Sequence, residues 1–324
     1  MRYLAFLLVL AQPLAAKQIE SIAFGSCLTQ TMSQAILGKV ADLNPDIFIF
    51  MGDNIYADTT NMAIKKKAYQ KLTRGRYFNR LKSKSMILAT WDDHDYGYND
   101  VGASYPAKRA SRRLFLSYMR NSRKNPNPGV YNSYYYGAAN RRVQIILLDT
   151  RYFRSRWPRT YEEMGDKSKT MLGKGQWQWL KNEFKKPAKL RIVVSSVQLL
   201  AENELGEGWY LMPHEQQRFY NLVKSTRANG VVILSGDRHY AETSLVREKA
   251  GYNLYEFTSS GLNRTWLEGS QFENKNRFGK TFATNNFGLI KIRWKGSDAL
   301  LTVEYRDDDA KVLGQYFVKL SDLK

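Results

Sequence analysis

The chain has little cysteine, histidine or proline for its 324 residues: one Cys, three His and eight Pro. A single cysteine excludes an internal disulfide, so Cys27 needs another explanation. It is either a small buried apolar residue or a ligand. No Gly/Ser/Pro-rich linker, low-complexity stretch or internal repeat interrupts the chain, which excludes solenoids and disordered tails. Long apolar runs are also missing. Residues 1–16 carry Arg2, the short apolar stretch Leu4–Leu10 and the small residues Ala15 and Ala16. That is the pattern of a cleaved secretory leader, too short to span a bilayer comfortably. The expectation is a leader at 1–16, one domain at 17–324 and a secreted or periplasmic product. Acidic residues are scarce beside basic ones, 30 against 50, giving a net charge of +20. Such a charge points to anionic partners: phosphate esters, nucleic acid, anionic lipid or a cell-wall polymer.

What acid there is gathers in motifs. Four short segments each follow an apolar run: Gly25–Cys27 (GSC), Gly52–Asp58 (GDNIYAD), Trp91–Asp100 (WDDHDYGYND) and Ser235–His239 (SGDRH). They hold the only cysteine and two of the three histidines. The buried-strand pattern of Asp46–Met51 (DIFIFM), of Met86–Thr90 and of Val231–Leu234 delivers three of them. Helices are expected over Gln30–Asp42, Met62–Leu81, Pro106–Asn121, Gly175–Phe184 and His214–Ala228. Further strands are expected at 130–136, 142–148 and 190–195, then at Tyr252–Thr258, Phe287–Trp294, Leu300–Arg306 and Gln315–Lys319 in the strand-rich tail from Ser244 to Lys319. Strands and helices alternate first and strands dominate later, the pattern of mixed sheets covered by helices with chemistry beyond the strand ends.

Loops of this composition suit a metal centre. Asp53 follows Gly52, which allows a sharp turn, and its two carboxylate oxygens can serve two cations. Tyr56 is either a phenolate ligand, which needs a strongly Lewis-acidic ion such as ferric iron, or a packed ring with a hydrogen-bonded hydroxyl. Cys27 as thiolate would add a soft donor. Asp93 is a second carboxylate, Asn99 offers the neutral oxygen that suits calcium, and His94 can protonate a leaving group. Asp237 and His239, two residues apart, sit near one strand end; one can ligate while the other faces substrate. His214 opens a helix and reads as structural.

GSC, GDNIYAD, WDDHDYGYND, LLDTR (Leu147–Arg151) and LSGDRH, in this order and at these separations, resemble the alkaline phosphatase D (PhoD-like) family of the metallophosphoesterase superfamily. The motifs run from Cys27 to His239. The resemblance implies an α/β fold, a four-layer α/β/β/α sandwich of two mixed sheets, with ferric iron and calcium between them. Carried over by position, Cys27, Asp53 and Tyr56 would bind iron. Asp53 would bridge to calcium, near Asn99 and Asp237. Asp93 matches a position where other members of the superfamily carry a bridging Asn. His94 and His239 would lie beside the phosphate, and Arg151 would bind substrate. A compact tail implies an open site. The expected activity is hydrolysis of phosphodiesters, phosphomonoesters or both by a metal-activated water. The basic, aromatic loop Arg151–Gly173 would hold a leaving group or serve as a lid. The alternative is a non-catalytic binder of nucleic acid or another anionic polymer with a vestigial metal site.

Overall fold

The structure is a computed structural model describing residues 17–119, 125–203 and 206–324; the leader reading of residues 1–16 lies outside these. Three parallel strands form first, β1 (Ser21–Gly25), β2 (Ile47–Met51) and β3 (Met86–Thr90). A second sheet takes β4 (Asn132–Tyr136), β5 (Val143–Leu147), β6 (Leu190–Ser195), β7 (Val231–Ser235), β8 (Ala241–Val246) and β9 (Leu254–Ser259). The last three strands, β10 (Asn286–Lys295), β11 (Asp298–Asp307) and β12 (Val312–Lys319), return to the first sheet. The sheet orders are β12-β11-β10-β1-β2-β3 and β4-β5-β6-β7-β9-β8.

Side-chain alternation explains how the layers stack. In β2, Ile47, Ile49 and Met51 face the core between the sheets, while Phe48 and Phe50 pack with the helices outside. Helices Ala35–Asp42, Met62–Thr73, Arg76–Lys84 and Lys108–Tyr118 cover the first sheet. Helices Gly173–Phe184 and Pro213–Thr226 cover the second. The result is the expected four-layer α/β/β/α sandwich of two mixed sheets.

One expected element changes, and one strand has no local sequence signal. The single helix over Met62–Leu81 is two helices, broken at Arg74 and Gly75, where Gly75 approaches the Gln34 side chain closely. Strand β8 (AETSLV) has no apolar alternation, because its buried Glu242, Thr243 and Ser244 meet polar partners rather than a hydrocarbon core. The expected helix end near Asn121 lies outside the described residues.

The functionally important consequence is where the parallel strands stop. β1, β2 and β3 run parallel to one another in the first sheet, and β5, β6, β7 and β9 do so in the second. A bridge between Ser26 and Ser260 joins the sheets at that edge. The loops that follow converge there, as expected at the carboxyl ends of strands in α/β folds.

Candidate metal centre

Backbone geometry marks the site before side chains do. Nine non-glycine residues among those described have positive φ, and five of them are Cys27, Asp53, Asp100, Asp237 and His239. Strain of this kind costs of order 1–3 kcal/mol per residue and concentrates where function requires it. The loops hold one another: Leu28 N donates to Asp53 O at 2.9 Å, Gly236 N to Ser196 O at 2.9 Å, and Ala57 N to His94 O at 3.4 Å. Gly52, at φ +113°, lets Asp92 approach so closely that a Cβ there would lie 2.6 Å from the Asp92 Cβ.

Four overlapping groups of donors result, each with ligand atoms within 4.8 Å of one another: Cys27–Asp53–His239, Asp53–Asp93–His94, Asp92–Asp93–Asp237, and Asp93–Asp100–Glu207. Asp53 and Asp93 are shared between groups. The Tyr56 hydroxyl donates to Asp53 Oδ2 at 3.2 Å and lies 3.2 Å from His239 Nε2. Cys27 Sγ is 3.5 Å from Asp53 Oδ2 and 3.1 Å from Ser260 Oγ. Asn99 is exposed and lines the same cavity, of about 450 Å³, as Asp53, Asp93, His94, Asp237 and His239.

The donor set fits cations on its own electrostatics. Asp53 Oδ1, Asp92 Oδ2 and Asp93 Oδ1 are buried with no hydrogen-bond partner, an arrangement that costs roughly 1–3 kcal/mol or more per group unless something satisfies it. Burial, then the neighbouring Asp93, pushes the Asp53 carboxyl well above its usual range; burial, then Glu207, does the same to Asp237. Burial raises the Cys27 thiol to about 11. Positive ions in their midst would hold all three deprotonated. Burial, with Arg264 and His94 nearby, lowers His239 to about 4, so its imidazole is neutral and free to ligate. Burial opposes protonation of His94, but Asp58 and Asp93 outweigh it and its pKa rises.

Other carboxylates have structural duties. Asp92 and Asp95 form a capping box on the one-turn helix Asp93–Tyr96, and Asp95 also accepts from Asn54 N at 3.1 Å. Asp58 fixes His94 through its Nδ1 at 2.8 Å. Asp100 N donates to Asp93 Oδ2 at 2.8 Å. His214, read as structural, is bound through Nε2 to Lys169 O at 2.8 Å.

Arg151 is placed differently from its expected substrate-binding role. It is fully buried beneath the carboxylates, with its fork paired to Glu207 and its Nε to Asp92. Its Nη2 lies 3.5 Å from Asp93 and 3.8 Å from Asp237. With its donors turned to carboxylates, it organises the acidic cluster from below. The loop that follows is likewise spent internally. Arg154 is buried, 3.6 Å from Glu207 and stacked over Trp157 at 4.0 Å, while Trp157 Nε1 donates to Glu207. Arg156 pairs with Glu163 at 3.1 Å. No residue of this loop is among those lining the cavity, which argues against a leaving-group pocket there.

Glu207, Arg264 and Trp266 escaped the sequence reading, and all three line the cavity. Glu207 lies well past the end of β6, so no apolar run directly announces it. Arg264 and Trp266 follow β9, whose delivery of a site loop mirrors that of β7.

Known proteins match at several levels. The family model of PhoD-like phosphatases matches residues 23–298. Alkaline phosphatase D of Bacillus subtilis (strain 168) is 24% identical over 271 residues, covering 68% of this chain and 46% of the relative. The chain thus spans about half the length of that curated relative. Among solved structures, PhoD superposes with a TM-score of 0.70 at 18% identity, over 95% of this chain and 73% of PhoD. Purple acid phosphatase PPD1 from yellow lupin seeds gives 0.63 at 11% identity, over 93% and 54%. GAP50, the anchor in the inner membrane complex of Plasmodium, gives 0.62 at 13% identity, over 95% and 90%. At these identities the structures establish the shared fold. The family match covers well over half of the sequence, and the chain belongs to the PhoD-like phosphatase family.

Proposed function

We propose that this chain is an exported, metal-dependent phosphoesterase acting on phosphodiesters, phosphomonoesters or both, with residues 17–324 working as one domain. The observation that carries the reading is the convergence of Asp53, Asp93, Asp237 and His239 at one cavity, with Cys27 buried beside Asp53 and His239 and with carboxylate oxygens that have no hydrogen-bond partner. Family membership supports the chemistry. Export rests on the leader pattern at 1–16; among the described residues, no helix is long and apolar enough to cross a membrane.

Cys27, Asp53 and Tyr56 would hold ferric iron, with the neutral His239 imidazole close enough to join them. Asp53, Asp93, Asn99 and Asp237 supply the oxygens that suit calcium. Bound cations would neutralise the phosphate and supply the activated water. The protein contributes position and protons. Asp58, as an acceptor on His94 Nδ1, orients the ring and leaves Nε2 for the leaving oxygen. Ser260 braces Cys27 from beside.

The test is hydrolysis of bis(p-nitrophenyl) phosphate beside p-nitrophenyl phosphate by protein purified with its native metals, with and without chelator. Chelator-sensitive turnover of either supports the reading, and their ratio decides between diester and monoester. Salt-sensitive binding of polyanions without turnover, with metals present, would favour a non-catalytic binder instead.

A further inference from the structure

The cavity is larger than its metal chemistry needs. At about 450 Å³ it falls within the roughly 300–1,000 Å³ of sites that enclose drug-sized molecules. One wall is acidic. The loop after β9 adds Arg264, Thr265 and Trp266 to the lining.

Arg264 is exposed and has no carboxylate partner among the described residues; its guanidinium lies 4.3 Å over the Tyr56 ring. That cation–π contact positions the group and leaves its hydrogen-bond donors available. Trp266 has 44% of its surface exposed, an unusual situation for an indole. The ring is nonetheless fixed. Phe272 meets it edge-on at 5.7 Å, and Gly269 packs so close that a Cβ there would lie 2.3 Å from the ring. Its backbone N donates to His239 O at 2.9 Å. Upstream, Asn263 accepts from Thr29 N at 2.7 Å and donates to Thr29 O and Ser33 O, each at 3.0 Å. The loop is therefore fastened to His239 and to the segment after Cys27. A guanidinium without a carboxylate and an open aromatic face, two residues apart on a braced loop, make a shelf for an anionic group joined to a flat ring.

We propose that Arg264 and Trp266 form a subsite for the nucleoside of a nucleoside phosphate ester, Arg264 contacting a phosphate oxygen and Trp266 stacking on the base. The substrates it favours are nucleoside phosphate esters rather than esters of simple alkyl groups. The proposal rests on the phosphoesterase reading for its catalytic consequence, but the subsite can be tested without turnover.

Two diesters with the same leaving group separate the effects: thymidine 5′-(p-nitrophenyl) phosphate and methyl p-nitrophenyl phosphate. The wild-type protein should favour the thymidine ester in kcat/KM. Trp266→Ala should cut that preference by about tenfold, the size expected for loss of one ring stack, and Trp266→Phe should retain most of it. Arg264→Met should raise KM for both esters. An unchanged preference in Trp266→Ala would overturn the subsite while leaving the phosphoesterase reading intact. If the wild type hydrolyses neither ester, the diesterase part of that reading fails, and calorimetric binding of thymidine 5′-monophosphate to the metal-loaded protein decides the subsite. Binding about tenfold weaker in Trp266→Ala supports it, and equal affinity rejects it.

Discussion

Replacing Arg151 with methionine tests how the acidic centre is held together. The substitution keeps most of the side-chain volume and removes one positive charge. Four carboxylates then lose their shared counter-ion: Asp92 and Glu207, which it contacts directly, and Asp93 and Asp237 at 3.5 and 3.8 Å. At an effective dielectric of about 20, each of the longer contacts is worth a gross ~4–5 kcal/mol. These attractions do not add, because much of each offsets the cost of desolvating the ions. The measured loss on breaking buried pairs, roughly 3–5 kcal/mol, is the better guide. For about 300 folded residues, an unfolding entropy of ~2.1 cal/mol/K per residue turns that loss into a fall in Tm of ~5–8 °C. The assay is thermal unfolding of wild type and Arg151→Met, each with native metals and after chelation. Bound cations share the task of neutralising Asp93 and Asp237, so the fall should be larger after chelation. Arg151→Lys, which keeps the charge but loses the fork, should lie between the two. A change within 1 °C after chelation would refute the counter-ion argument, and equal falls with and without metal would refute the sharing of charge. Should Arg151→Met fail to fold, the Lys variant carries the same comparison.

Three further outcomes are expected. Cys27→Ser should lose iron and any thiolate-to-iron absorbance in metal analysis and visible spectra; a variant that retains a full complement of iron yet loses turnover would contradict the ligand assignment. Gly52→Ala combines a side chain at φ +113° with a 2.6 Å clash against Asp92, and should lose about 1–3 kcal/mol in denaturant unfolding together with most metal binding; wild-type stability and metal content would show that the loop yields at no cost. Burial pushes the Glu215 carboxyl up, but hydrogen bonds from Trp177, Thr170 and Met171 N, each at 2.7 Å, and the ion pair with Arg218 leave its pKa below the usual range. Its contribution is therefore complete above the unfolded pKa and disappears as pH falls through the folded one. Glu215→Gln should cost roughly 2 kcal/mol at pH 7, with a gap from wild type that narrows below about pH 4.5; a pH-independent gap in urea unfolding would refute this.

What was legible in the sequence follows from how each signal is written. β2 could be read because IFIFM is buried on both faces, so every position is apolar and the run announces itself. The residues brought together at Cys27, Asp53, Asp93 and Asp237 could be read because each follows such a run, and parallel strands that begin together must deliver their loops to one edge. β8 could not be read this way: its buried Glu242, Thr243 and Ser244 are satisfied by partners far away in sequence, including Gln198, Tyr305 and Asn274, so no local period betrays it. Arg151 shows the same limit in reverse. Next to a motif, in a basic protein, an arginine reads as an anion binder; only the fold reveals that it faces carboxylates supplied by three other loops. Whether a charge is a recognition group or an internal counter-ion depends on the sign of what surrounds it, and that is a tertiary property. By that criterion Arg264, which no carboxylate among the described residues meets, is the better candidate to receive a substrate anion.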